Sequence, residues 1–267
     1  MAVSQLEHET RWRMDEIEGS SVHEDSTLLR DLRSGAELSV VEGRLVRGVG
    51  YGTAIPTTRR ALARTGAILR LRQRNRYFVH ASGVVDRRGR AVVFVGESGS
   101  GKSTLAFALV RAGWTLLGDD GVVLEPGHPG TIVHGWRSPL LVSASLAGFF
   151  PELQHQKHAT IPGDARRRMP WHVPGSPRGT LGALVFITQA SEGQLLECGE
   201  SDALMLLVRQ SPWVLLGDRF SREHFAGLRR IVASAPLFSF SHGPRELARI
   251  AELFESALAP ALPGAIT

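Results

Sequence analysis

Lys102 and the pair Asp119-Asp120 are the residues of this 267-residue chain best placed by type and spacing to do chemistry. Lys102 belongs to the run Gly96-Glu97-Ser98-Gly99-Ser100-Gly101-Lys102-Ser103-Thr104, which completes the pattern G-x-x-x-x-G-K-[ST]. Such a run can cradle phosphate. Glycines at 96, 99 and 101 permit positive φ and close backbone approach, and the N–H groups that open a helix point at the anion. Lys102 is expected to reach the β- and γ-phosphates, and the Ser103 hydroxyl to ligate the magnesium that travels with them. Lysine is scarce here: Lys102 and Lys157 are the two among 31 Lys+Arg. A compact ammonium serves phosphate as a point charge. The pattern predicts a nucleoside triphosphate site.

The flanking residues supply the elements that must hold it. Ala91-Val92-Val93-Phe94-Val95 reads as a buried strand, and Thr104 to Gly113 as a helix closed by glycine. Trp114 to Gly118 makes a return strand that ends at Asp119. A helix of about 11 residues leads roughly 16 Å away from the phosphates. A strand of about five residues, at roughly 3.3 Å each, leads back. A right-handed crossover is expected to set that strand beside the first, so both carboxylates arrive at the same sheet edge. There one acid can bind magnesium while the other accepts a proton from an attacking hydroxyl. Asp119-Asp120-Gly121 also reads as turn chemistry between two apolar runs.

Around this centre, strands are expected over 38–46 (two, about a Glu-Gly turn), 77–85, 122–125, 131–134, 181–188 and 237–240. Helices are expected over 56–74, 139–149, 200–210, 221–233 and 244–258, with Gly66 out of place in the first. Residues 1–36 suggest one strand and one short helix, and 154–178 an irregular loop. Strands 77–85 and 91–95, joined by a tight turn, should pair antiparallel. The alternation predicts an α/β fold with a mixed sheet flanked by helices.

Composition excludes several classes. Net charge is +5 with no Lys/Arg block of the kind that marks a nucleic-acid arm, so no nucleic-acid partner is read. No apolar run is long enough to cross a bilayer, no signal-peptide pattern opens the chain, and Cys198 stands alone, which together predict a cytoplasmic protein without disulfides. His155 and His158 lack carboxylates or thiols at ligand spacing, so no metal site is read there. Arg166-Arg167-Arg168 and Arg178 could stabilise a transferring phosphate or hold an acidic peptide, or simply face solvent.

His80, Gly96–Thr104 and Leu117-Gly118-Asp119-Asp120 together resemble the catalytic domain of the HPr kinase/phosphorylase family and its peptide-modifying relatives. The resemblance covers about residues 77–125 and thins toward 255. It implies an HPr kinase/phosphoenolpyruvate carboxykinase-like fold over 56–267, with 1–55 as a small N-terminal α+β elaboration. It implies ATP on Gly96–Thr104, magnesium on Ser103 and one aspartate, assigned to Asp120, with Asp119 or Asp120 as base. His80 would orient that base. Relatives often assemble, which leaves room for a homo-oligomer. Two departures stand out. Thr104 replaces the family's glutamate, and Ser176-Pro177-Arg178-Gly179-Thr180-Leu181-Gly182 blurs the signature Pro-Gly-Arg-Asn-Leu-Ala. The resemblance therefore does not extend to HPr itself as acceptor or to the phosphorylase reaction.

The expected activity is ATP- and magnesium-dependent transfer of the γ-phosphate to a serine or similar hydroxyl of a small protein or peptide. A regulatory ATP-binding module or slow ATPase is the alternative, and a small-molecule kinase the next. The acidic pair with His80 separates the first from the second, because a module that only binds needs no base.

Overall fold

Thr27, Leu29 and Asp31 are buried while their alternate neighbours are not, the period of a strand with one covered face. That pattern belongs to a five-stranded antiparallel sheet, ordered as in the chain: β1 (Arg11–Met14), β2 (Ile17–His23), β3 (Ser26–Asp31), β4 (Glu37–Val41) and β5 (Arg44–Arg47). The computed structural model describes residues 11–14, 16–23, 26–136, 140–155, 159–161, 164–169, 177–189, 193–242, 247 and 249–258. The helix expected within 1–36 is not found among them. Strands with a polar residue at most second positions take its place, held by a ladder that a local reading does not see. Two compact units form, one from 1–78 with 211–228 and one from 79–210 with 229–267.

In the first unit, α1 (Pro56–Arg72) opens on the expected proline and lies on β3, β4 and β5. Gly66 belongs there for packing. A Cβ at that position would stand 2.9 Å from both Leu38 and Leu45 side chains, so the helix approaches the sheet closely only without one. Arg72, at the end of α1, is buried and forms a two-pronged pair with Asp218. Its Nε also donates to His224 Nδ1 at 3.2 Å. Because arginine only donates, that imidazole is neutral and carries its proton on Nε2. His224 stacks on Tyr77 with ring centroids 4.3 Å apart.

Burial first, and the Arg72 charge second, push the His224 pKa down to about 3, against a Trp213 backbone hydrogen bond that favours the proton. The unfolded chain takes up that proton near pH 6.5. Stability from a neutral His224 is thus complete above pH 6.5 and falls away as pH drops toward 3. Between pH 7 and pH 5 the wild type should lose about 2 kcal/mol more than His224→Gln in urea unfolding. Parallel pH profiles for the two proteins would contradict this.

Where the chain leaves the first unit, the strand expected over 77–85 is interrupted. His80 donates its N–H to Gln210 O (2.8 Å) and separates β6 (Tyr77–Val79) from β7 (Ala81–Val85). Next come β8 (Arg90–Val95), α2 (Lys102–Arg111), β9 (Thr115–Gly118), β10 (Val122–Glu125) and β11 (Ile132–Gly135). They are followed by β12 (Leu140–Val142), α3 (Ala144–Phe149), β13 (Ala159–Ile161), β14 (Asp164–Met169) and β15 (Arg178–Gln189). The chain closes through β16 (Gln194–Glu197), α4 (Glu200–Arg209), α5 (Ser221–Val232), β17 (Leu237–His242) and α6 (Ile250–Ala257). Strands β10, β11, β15, β8, β7 and β9 hydrogen-bond in that order, and β17 runs parallel to the outer half of β15. The mixed sheet and its helices make the fold α/β, as expected.

Two local expectations change. Strand β9 does not lie beside β8. Strand β7 sits between them, antiparallel to both, so β8 and β9 still run the same way and end at one edge. The helix expected over 139–149 yields its first residues to β12, and part of the supposed loop 154–178 forms β13 and β14, with β14 paired between β12 and β13 in a small three-stranded sheet. His158 and residues 170–176 lie outside the described residues. Phe94, Phe240 and Phe254 bring sheet and α6 together edge to face, at centroid distances of 5.4 and 5.8 Å to Phe254. No helix among the described residues is long and apolar enough to cross a membrane.

Candidate active site

The loop between β8 and α2 turns through two left-handed glycines, Gly99 (φ 84°) and Gly101 (φ 98°). Gly96 is required for a different reason. A Cβ there would meet the Ile187 carbonyl at 3.0 Å and Ser100 Oγ at 2.8 Å. No side chain caps α2, and its first turn holds no acidic residue. The positive end of the helix therefore faces the cavity with its first N–H groups, which suits an anion. Lys102 is buried and folds back along the loop, with Nζ donating to the carbonyls of Gly96 and Glu97 at 2.8 Å each. Burial lowers its pKa, while Asp119 and Asp120 pull it back up.

A cavity of about 280 Å³ brings most of the expected residues together, although Gly96, Glu97 and Ser100 of the loop do not line it. His80, Ser98, Gly99, Gly101, Lys102, Ser103, Thr104, Asp119 and Asp120 all line it. The two aspartates differ sharply. Asp119 is 7 % exposed; Ser82 Oγ donates to its Oδ1 at 2.9 Å, and Ser103 and the Leu141 backbone also hydrogen-bond to it. Burial raises its pKa, the Ser103 and Ser82 bonds oppose that, and the neighbouring Asp120 charge adds to it. Asp120 is more open, with its Oδ1 3.5 Å from His80 Nδ1.

Of the arginines singled out in sequence, Arg166 lines this cavity, whereas Arg167, Arg168 and Arg178 do not. Sequence reading missed Ser82, Leu141 and Ser143. Leu141 sits on β12, and Ser143 caps α3 by accepting from Leu146 N at 3.0 Å. The Ser-x-x-Leu start of a short helix was the available signal for Ser143. Ser82 carried none, since it reaches Asp119 only because β9 pairs with β7.

The donor set suits a magnesium–nucleotide. Magnesium is commonly held by one or two carboxylates plus substrate phosphates rather than by an all-protein cage. Ser103 and a carboxylate meet beside an uncapped helix start here, and among the described residues no group of three or more His, Cys, Asp or Glu is arranged to hold a metal alone.

Fold and site define an α/β protein with a glycine loop, a buried lysine and an acidic pair at the edge of a mixed sheet. No protein-family model matches the chain, and no curated protein matches it. Among solved structures it is similar to the Hpr(Ser) kinase/phosphatase from Coxiella burnetii. Identity is 14% and the TM-score 0.35, over 68% of this chain and 96% of that one.

Proposed function

We propose that this chain is an ATP- and magnesium-dependent phosphotransferase that moves the γ-phosphate to a hydroxyl, a serine of a small protein or peptide. The observation that carries the reading is the convergence of Lys102, Ser103, Asp119, Asp120 and His80 on one cavity at the start of α2. Magnesium, when bound, neutralises phosphate charge and orients the γ-phosphoryl group for in-line attack. Ser103 and Asp119 are the residues to hold it, since they already share a hydrogen bond. This moves magnesium from Asp120, where the resemblance put it, to Asp119, and takes Asp120 as the base where the resemblance left either aspartate open. Asp119 is buried and held by three partners, whereas Asp120 is the more exposed of the two and the better placed to meet an incoming hydroxyl.

In this scheme Lys102 transfers its ammonium from the loop carbonyls to the β- and γ-phosphate oxygens. Asp120 accepts the acceptor's hydroxyl proton as the new O–P bond forms and the bond to the β–γ bridging oxygen breaks, leaving ADP. His80 orients the Asp120 carboxylate. Arg166 faces the transferring charge from the β14 side.

The test is single-turnover transfer of radiolabelled γ-phosphate with magnesium to a panel of small proteins, serine peptides and small hydroxy compounds. Label on a protein or peptide serine, absent with Lys102→Ala, supports the reading. Label on a small compound alone would make it a small-molecule kinase. ATP binding without any acceptor labelled would replace the reading with a regulatory module.

A further inference from the structure

The glycine loop has a second side. Opposite the acidic cavity lies another, of about 390 Å³, walled by the loop residues Gly96 to Ser100, the strand ends Val95, Phe186, Ile187 and Ser239, and Leu206, Arg209 and Gln210 of α4 and its end. Among the described residues, only Ser98 and Gly99 line both cavities. The loop is thus a partition with different chemistry on its two faces.

We propose that this second cavity is the nucleoside subsite, taking the base and ribose of the nucleotide whose phosphates lie against Lys102 and the start of α2. The inference rests on the phosphotransferase reading and says where the rest of the substrate goes. The acidic cavity is a poor place for a base, being lined by two carboxylates, a lysine and serines. The second cavity offers what a planar heterocycle needs. Its volume lies within the range of about 300–1,000 Å³ for small-molecule sites. Leu206 gives an apolar face, the Arg209 guanidinium can stack on a ring, and the Gln210 carboxamide carries both a donor and an acceptor for a base edge. Glu97, at the loop end of the same cavity, is an acceptor for ribose hydroxyls.

Gln210 does a second thing. Its carbonyl accepts the His80 N–H at 2.8 Å, so the residue that reads the base also holds the backbone of the residue beside Asp120. Base binding and base orientation at the catalytic carboxylate share one anchor.

The test compares a whole nucleotide with its phosphates alone. Calorimetric titration of the full chain with ATP and with inorganic tripolyphosphate, both with magnesium, is repeated for Leu206→Trp, which fills the cavity from a half-buried position. The expected result is a loss of at least tenfold in ATP affinity with tripolyphosphate affinity held within twofold. Unchanged ATP affinity in the variant overturns the nucleoside assignment while leaving the phosphate site standing. Wild type that binds neither ligand overturns the phosphate site and this proposal together. Should the variant lose both ligands, photolabelling of wild type with 2-azido-ATP decides. Label in the tryptic peptide that ends at Arg209, or in the one that follows it with Gln210, supports the assignment, and label confined elsewhere overturns it.

Discussion

Asp120→Asn should still bind ATP and magnesium yet transfer phosphate about 10²- to 10⁴-fold more slowly, the usual contribution of a positioned general base. Asparagine keeps the shape and cannot take the proton. Asp119→Asn should fail differently. That carboxylate is 7 % exposed and tied to Ser82 and Ser103, so its loss should raise the magnesium concentration needed for half-maximal transfer before it changes the rate at saturation. Single-turnover rates across a magnesium titration separate the two. Equal behaviour of both variants would contradict the division of labour, and a fully active Asp120→Asn would remove Asp120 as base.

Gly227→Ala should destabilise the protein by about 3 kcal/mol or more, at or above the top of the range for overpacked sites. A Cβ at 227 would lie 2.1 Å from Tyr77 Cε2 and 2.5 Å from Cζ. The ring has nowhere to go. It is 1 % exposed, stacked on His224 and anchored through its hydroxyl to the Glu223 carbonyl. At roughly 2–4 °C per kcal/mol for a chain of this size, the thermal midpoint should fall by on the order of 10 °C. Gly148→Ala is the internal comparison. It lies in α3 with nothing near its Cβ position, so it should leave the midpoint unchanged or raise it. A Gly227→Ala protein that melts with the wild type would show that Tyr77 can be displaced without cost.

The reach of the sequence can be read from particular residues. Strand β8, the glycine loop, α2 and β9 are contiguous, and each is governed by its own residues: an apolar β-branched run, left-handed glycines, helix formers. That is why Lys102, Ser103, Asp119 and Asp120 could be brought to one place on paper. What escaped depends on partners far away in the chain. Strand β7 interposes between β8 and β9, and nothing in 91–118 announces it. Ser82 becomes part of the site through that pairing, and Leu141 through the small sheet that β12 shares with β13 and β14. Strands β1 to β3 were hidden by polar residues on the solvated face. Gly66 looked like a flaw in a helix because the leucines that require it, Leu38 and Leu45, lie on other elements.

The pairing of Arg72 with Asp218 has a consequence for the order in which the molecule can be made. The first unit draws on residues up to Phe78 and then on Ser211–Leu228, so a ribosome releases its two parts 150 residues apart, from 78 to 228. At about 5–20 residues per second, roughly 8 to 30 s pass in which the N-terminal sheet exists without its closing segment. Through that interval Arg72 has neither Asp218 nor His224, and Tyr77 has no ring to stack on. The glycine-loop sheet is translated in the meantime. Residues up to Phe78 wait for Ser211–Leu228, and the glycine-loop unit in turn is completed only by the residues from Arg229 onward.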